Sequence, residues 1–221
     1  MTFQQMSDTL TLRIDQAGSP SFIPTEIDTY LNWAYNSWYE QTRPNFNKVQ
    51  AFTDRLTHLI EPFSFTAVNQ ITLYTTTETT PAMINDYRDL ARMKGVWNQK
   101  DCNGNITPKE RNIVPVPLSS VDTNTQDPNN IPTDRFPMYK KGNNGTYRVI
   151  NILSTSTPLS ISGDYFRLLQ VINSATNPNG VFEAADYIAN EIIEIAKILM
   201  KTDVDDFEQA TVTAQESKGG V

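Results

Sequence analysis

The sequence predicts an α+β chain, mainly helical, in which an N-terminal helical hairpin and a C-terminal helix enclose an antiparallel β insertion. Three observations carry this. Residues 24–61 hold two stripes of apolar side chains at helical spacing, residues 63–73 switch to strict alternation, and residues 181–201 return to helical spacing. The corresponding segments are 1–62 (helical), 63–175 (β with long polar loops), 176–202 (closing helix) and 203–221 (an acidic, then polar, tail).

In chain order, Phe3, Met6, Leu10 and Ile14 mark a first, weaker helix over 2–16, ended by Gly18, Ser19 and Pro20. Pro24 opens the second, with Thr25 and Asp28 approximating a capping box. Its apolar face is Ile27, Leu31, Ala34, Tyr35 and Trp38, while Tyr30, Trp33 and Ser37 lie on a different face. That helix has more aromatic surface than one small core needs, which marks Tyr30 and Trp33 as candidate interface residues. A third helix is predicted from about Asn47, with Val49, Phe52, Leu56, Leu59 and Ile60 as its stripe and Pro62 as its stop.

Beyond Pro62, Phe63, Phe65, Ile71 and Leu73 alternate with polar residues, as in a strand. A second strand is predicted near 92–98, a polar loop over 99–112, and extended backbone over 113–118 because of its two prolines. Residues 119–134 read as a long polar excursion that contacts other subunits. The strongest hairpin signal is the turn Gly142-Asn143-Asn144-Gly145, flanked by Phe136–Lys141 and Thr146–Leu153. A further strand spans 159–172, with Gly163 suited to a bulge or a close approach. The closing helix runs from Val181 to about Lys201, with Phe182, Ala185, Ala189, Ile192, Ala196 and Leu199 inward. One core is predicted to join Trp38, Phe52, Leu56, Phe182, Ile192 and Leu199.

Residues that carry chemistry are scarce. The one histidine, His58, falls four residues after Asp54, a spacing that suits a surface pair. Cys102 lies in a polar loop without a basic neighbour, and Asp101-Cys102-Asn103-Gly104-Asn105 starts like a calcium loop. That pattern fails where Ile106 replaces its glycine and Asn112 its bidentate glutamate, so a plain turn is the better reading. Phosphate-cradling glycines, a nucleophile elbow and a zinc helix motif are missing from the sequence, which predicts no enzyme, no cofactor and no metal. The net charge of −7 argues against binding by phosphate neutralisation, and Lys140, Lys141 and Arg148 form only a small basic hairpin. The acidic run Asp203, Asp205, Asp206 with Phe207 reads as a docking tail. Lys140, Lys141, Asp203, Asp205, Asp206 and Phe207 join Tyr30 and Trp33 as interface candidates. With no signal-like N-terminus, no long apolar run and one cysteine, the expectation is synthesis in a reducing cytoplasm and no membrane partner.

The segments TEIDTYLNWAYNSWYEQ, with its Leu31-Asn32 pair, and KVQAFTDRLTHLIEP, ending Arg55 to Ile60, are similar to the N-terminal helices of head-to-tail connector (neck or adaptor ring) proteins of tailed bacteriophages, nearest to those of crAss-like short-tailed phages. Asn85-Asp86-Tyr87-Arg88, ISGDYFRLLQVI and VFEAADYIANEIIEIAKILMK extend the resemblance, although Leu168-Leu169 stand where that family has a proline. The resemblance implies a virion protein made in the host bacterial cytoplasm. It would be a subunit of a ring of twelve copies between portal and tail, contacting the portal protein and other neck proteins. Genomic DNA would pass through the ring without sequence recognition. Rival readings are a tail-tube or gatekeeper ring or another capsid-associated protein, and, from other classes, a carbohydrate-binding β module built on Trp97, Tyr139, Tyr147 and Tyr165, or a small hydrolase.

Overall fold

A computed structural model describes residues 1–15, 22–46, 48–73, 83–84, 86–116, 131–143 and 148–218, with side chains described as far as 203 in the last helix. Among these residues the chain forms four α-helices and nine strands arranged in two sheets. The expectation of a mainly helical protein is therefore wrong: the fold is mixed α/β, and one of its two compact units, Leu59–Leu168, contains all nine strands. The other unit joins Met1–His58 to Leu169–Val221.

The helical unit is built on α1 (Phe3–Asp15), α2 (Pro24–Thr42), α3 (Gln50–Leu56) and α4 (Asp186–Lys218). Phe3, Met6, Leu10 and Ile14 of α1 are all buried, as are Leu31, Tyr35 and Trp38 of α2 and Ile188, Ile192 and Ala196 of α4. The helical period thus becomes one shared core. α3 is much shorter than the sequence suggests. It gives way to a 3-10 turn at Thr57–Leu59, and Ile60, expected on its stripe, starts a strand instead. Phe52 is only half-buried and Val49 is exposed. α4 begins at Asp186 because the preceding backbone is engaged elsewhere: Val181 bridges Thr2, and the Phe182 N–H donates to the Met1 carbonyl at 3.0 Å. Ala185 is consequently exposed rather than inward. Its helical backbone runs on to Lys218, past the point where a tail was expected.

Asp28 and Asn32, on adjacent turns of α2, fasten the segment that follows the β unit. Asp28 is buried and accepts from the Ser174 hydroxyl at 2.7 Å and the Ala175 N–H at 3.2 Å. Asn32 accepts from the Ile172 N–H at 2.9 Å and donates to its carbonyl at 2.8 Å. The helix N-terminus is capped by another residue: the Glu26 carboxylate takes the Ile23 N–H at 3.0 Å, so Asp28 is free to face inward.

In the β unit, β1 (Ile60–Thr66), β9 (Ser160–Arg167), β4 (Tyr87–Lys100) and β5 (Ile106–Asn112) form an antiparallel sheet in the order β1-β9-β4-β5. The second sheet is ordered β3-β2-β8-β7-β6, from β2 (Gln70–Leu73), β3 (Met83–Ile84), β6 (Val114–Pro115), β7 (Met138–Asn143) and β8 (Arg148–Leu153). Its β2–β3 and β6–β7 pairs are parallel, which corrects the expectation of a purely antiparallel insertion. Pro62 lies inside β1, where an edge position leaves its missing N–H without consequence. Residues 99–112, expected as a polar loop, are the end of β4, a tight turn and β5. The unit's core includes Trp97, Met93, Ile161, Ile71, Ile150 and Phe63.

Gly163 lies in β9 with Phe63 on one side and Met93 on the other. A Cβ there would fall on the Arg92 carbonyl oxygen and lie 3.0 Å from the Met93 Cα, so β4 itself would have to move. Gly163→Ala is expected to destabilise the β unit by about 1–3 kcal/mol, as overpacking does. Chemical denaturation followed by strand-amide exchange checks it; unchanged stability would mean the two strands separate freely here.

Candidate functional site

Several polar groups inside the helical unit are engaged with one another. The Tyr35 hydroxyl sits 2.6 Å from Glu183 Oε1 and 3.1 Å from His58 Nε2, and Glu183 also accepts the Gln170 N–H at 3.2 Å. Tyr35 is fully buried and its ring meets Phe182 edge-on at 5.1 Å. His58 is thus a partner of a buried tyrosine rather than of Asp54. The arrangement ties α2 to the approach to α4.

Beside it opens a groove of about 670 Å³ lined by Trp38, Phe52 and Ile195, with polar rims. The Arg55–Glu191 and Arg13–Glu194 ion pairs bracket it, and Glu191 also accepts from the Trp38 indole N–H at 3.0 Å. Two cations and two carboxylates leave this groove electrically balanced.

At the start of α2 the surplus aromatics form a string with Phe22, which precedes the helix. Phe22 meets Tyr30 edge-on at 6.1 Å, and Tyr30 meets Trp33 edge-on at 5.4 Å. Trp33 is 54% exposed and Ile23 58%. The Tyr30 hydroxyl donates to Asp203 Oδ2 at 2.6 Å. Burial, then the hydrogen bond and charge of Asp203, push the Tyr30 pKa up to about 12, so it stays a neutral donor. Of the sequence-predicted interface residues, the structure brings together Tyr30, Trp33 and Asp203. The side chains of Asp205, Asp206 and Phe207 lie outside the described residues, as does 117–130 within the long excursion.

Lys140 and Lys141 belong to the β unit and point to opposite faces of β7. Lys141 reaches Asp89 at 2.9 Å and stands 5.7 Å from the centre of the Tyr87 ring. Lys140 is exposed and lines a polar groove of about 470 Å³ with Asn69, Gln70, Asn151, Ile152 and Leu153. Gln70 and Asn151 are joined across the strands at 2.6 Å. This groove was not legible beforehand, because its walls come from β2, β7 and β8, widely separated in sequence.

The calcium-like segment closes the β4–β5 hairpin. Asp101 Oδ1 accepts the N–H groups of Asn103 and Asn105, both at 2.8 Å, and Gly104 takes a positive φ of 84°. Those hydrogen bonds, the Asn105 amide first, hold the Asp101 carboxyl below its usual pKa. Cys102 is exposed on this turn. Among the described residues there is no group of three or more His, Cys, Asp or Glu able to hold a metal ion, and no helix long and apolar enough to cross a membrane.

No protein-family model matches this chain, and no curated protein matches it significantly.

Proposed function

We propose that this chain is a structural, non-enzymatic subunit of a head-to-tail connector ring of a tailed bacteriophage, seated in the virion between portal and tail. In this reading twelve copies close head to tail into a ring whose lumen passes genomic DNA, while the outer faces meet the portal protein and neighbouring neck proteins. The observation that carries it is the aromatic string Phe22–Tyr30–Trp33 at the start of α2, with half-buried Phe22 and Tyr30 leading to an exposed Trp33, a surface suited to a protein neighbour. The net charge of −7 fits a channel that DNA slides through without adhering. The residue-level resemblance of the helical segments to connector proteins points the same way.

Light scattering after size exclusion, with and without portal protein, tests this. A ring of twelve 25.0 kDa chains has a mass of about 300 kDa. A species of 25.0 kDa under every condition would overturn the reading.

A further inference from the structure

Two features of this chain match one another in chemistry and charge. The ridge Phe22–Tyr30–Trp33 is aromatic, exposes Trp33 and is edged with carboxylates: Asp203 holds the Tyr30 hydroxyl, and the Glu26 charge also acts on it. The Lys140 groove is concave, lined by amide side chains and by Ile152 and Leu153, with an exposed ammonium at its rim. The units that carry them differ in charge. The helical unit has fifteen acidic and seven basic residues, the β unit ten and eleven. Two helical units, each at 7 − 15 = −8, repel when copies meet, while a helical unit and a β unit, at 11 − 10 = +1, do not.

We propose that the ring contact seats the Tyr30–Trp33 ridge of one copy in the Lys140 groove of the next, with Asp203 facing Lys140. This rests on the connector reading above. The occupant of each surface is a second copy of this chain, and the contact is heterologous, joining two different patches, which is the kind that propagates around a ring. The indole supplies the apolar area, and Gln70 and Asn151 supply hydrogen-bond partners at its edges. The carboxylate–ammonium pair sets the register. Tyr30 stays a hydroxyl donor across the physiological range.

Mixed cysteine cross-linking provides the test. Thr29→Cys places a thiol one helical turn from Trp33, and Gln70→Cys places one in the groove, each in a Cys102→Ser background. Under mild oxidation a mixture of the two chains is expected to give a covalent dimer that neither chain gives alone. Sedimentation should show association weakened roughly thirtyfold or more by Trp33→Ala, and on the order of tenfold by Lys140→Glu or Asp203→Lys. Combining Lys140→Glu with Asp203→Lys should recover most of that loss, and circular dichroism confirms that each variant folds. Dimers from the Thr29→Cys chain alone would show a two-fold contact and overturn the proposal. A ring of unchanged mass in the Trp33→Ala and Lys140→Glu variants, without mixed cross-links, would overturn it while leaving the connector reading in place. A chain that stays at 25.0 kDa with no cross-link at all overturns both.

Discussion

Trp97→Ala is expected to cost the β unit about 3–5 kcal/mol, the range for removing a large buried aromatic. Trp97 is fully buried in β4 and packs so closely over Gly95 that a Cβ on that glycine would fall on the indole ring. Its indole N–H donates to the Ser156 carbonyl at 3.1 Å. That carbonyl belongs to a loop which Asp134 also holds, accepting from the Ser156 N–H at 2.8 Å and its hydroxyl at 2.6 Å. Truncation removes the ring from the core and one of the loop's ties as well, leaving those to Asp134. Hydrogen exchange should show faster amides across β4 and β9 and in residues 154–157. Trp97→Phe, which keeps an aromatic ring and loses the donor and part of the ring volume, should cost less, about 1–3 kcal/mol. Equal losses in the two variants would mean that the hydrogen bond, not the packing, dominates.

Asp28→Ala is expected to destabilise the helical unit by about 3 kcal/mol, since hydrogen bonds to a charged group contribute about 1.5–3 kcal/mol each. The Ser174 hydroxyl and Ala175 N–H would be left facing a methyl group in a buried site. Asp28→Asn separates shape from charge. Its oxygen can still accept from Ser174, but its amino group then confronts the Ala175 N–H, donor against donor. The expected order of stability is Asp28, then Asn, then Ala, by denaturation monitored through helical ellipticity. Wild-type stability in the Ala variant would show that water replaces both contacts.

How far the fold was legible depended on whether a segment's environment imposes a period. α1 and α2 were readable because each presents one face to a core, so Phe3, Met6, Leu10 and Ile14 recur as a helix requires. β5 was missed because Thr107 to Asn112 lies at a sheet edge and is largely exposed, so nothing enforces alternation. α3 was overextended because Leu56 and Leu59 are both buried, one by the helix and one by the 3-10 turn; the same spacing serves either. Pro62 reads as a helix stop in the sequence, yet an edge strand tolerates proline as well.

The candidate surfaces divide in the same way. Tyr30 and Trp33 stood out as aromatics on the wrong face of an amphipathic helix, a signal local to four residues. The contact between Tyr30 and Asp203 spans 173 positions, and the Lys140 groove needs three strands. Neither has a local signature. Asp28 was legible as a polar residue near a helix start, and its turn inward toward Ser174 was not.

The helical unit's order in the chain has a consequence for synthesis. Its first three helices emerge from the ribosome early, while α4, which buries Ile188, Ile192 and Ala196 in the same core, emerges only after all nine strands. Until then Leu31, Tyr35 and Trp38 lack their main partner, and the nascent chain carries an uncovered apolar stripe for the translation of more than a hundred residues. The intervening strands need nothing from either end: β1 and β9 pair directly, Ile60 with Phe166, so the middle of the chain can close on itself while the start waits. The order of synthesis therefore lets the β unit, complete at residue 168, close before the helical unit, whose core needs residues beyond 186.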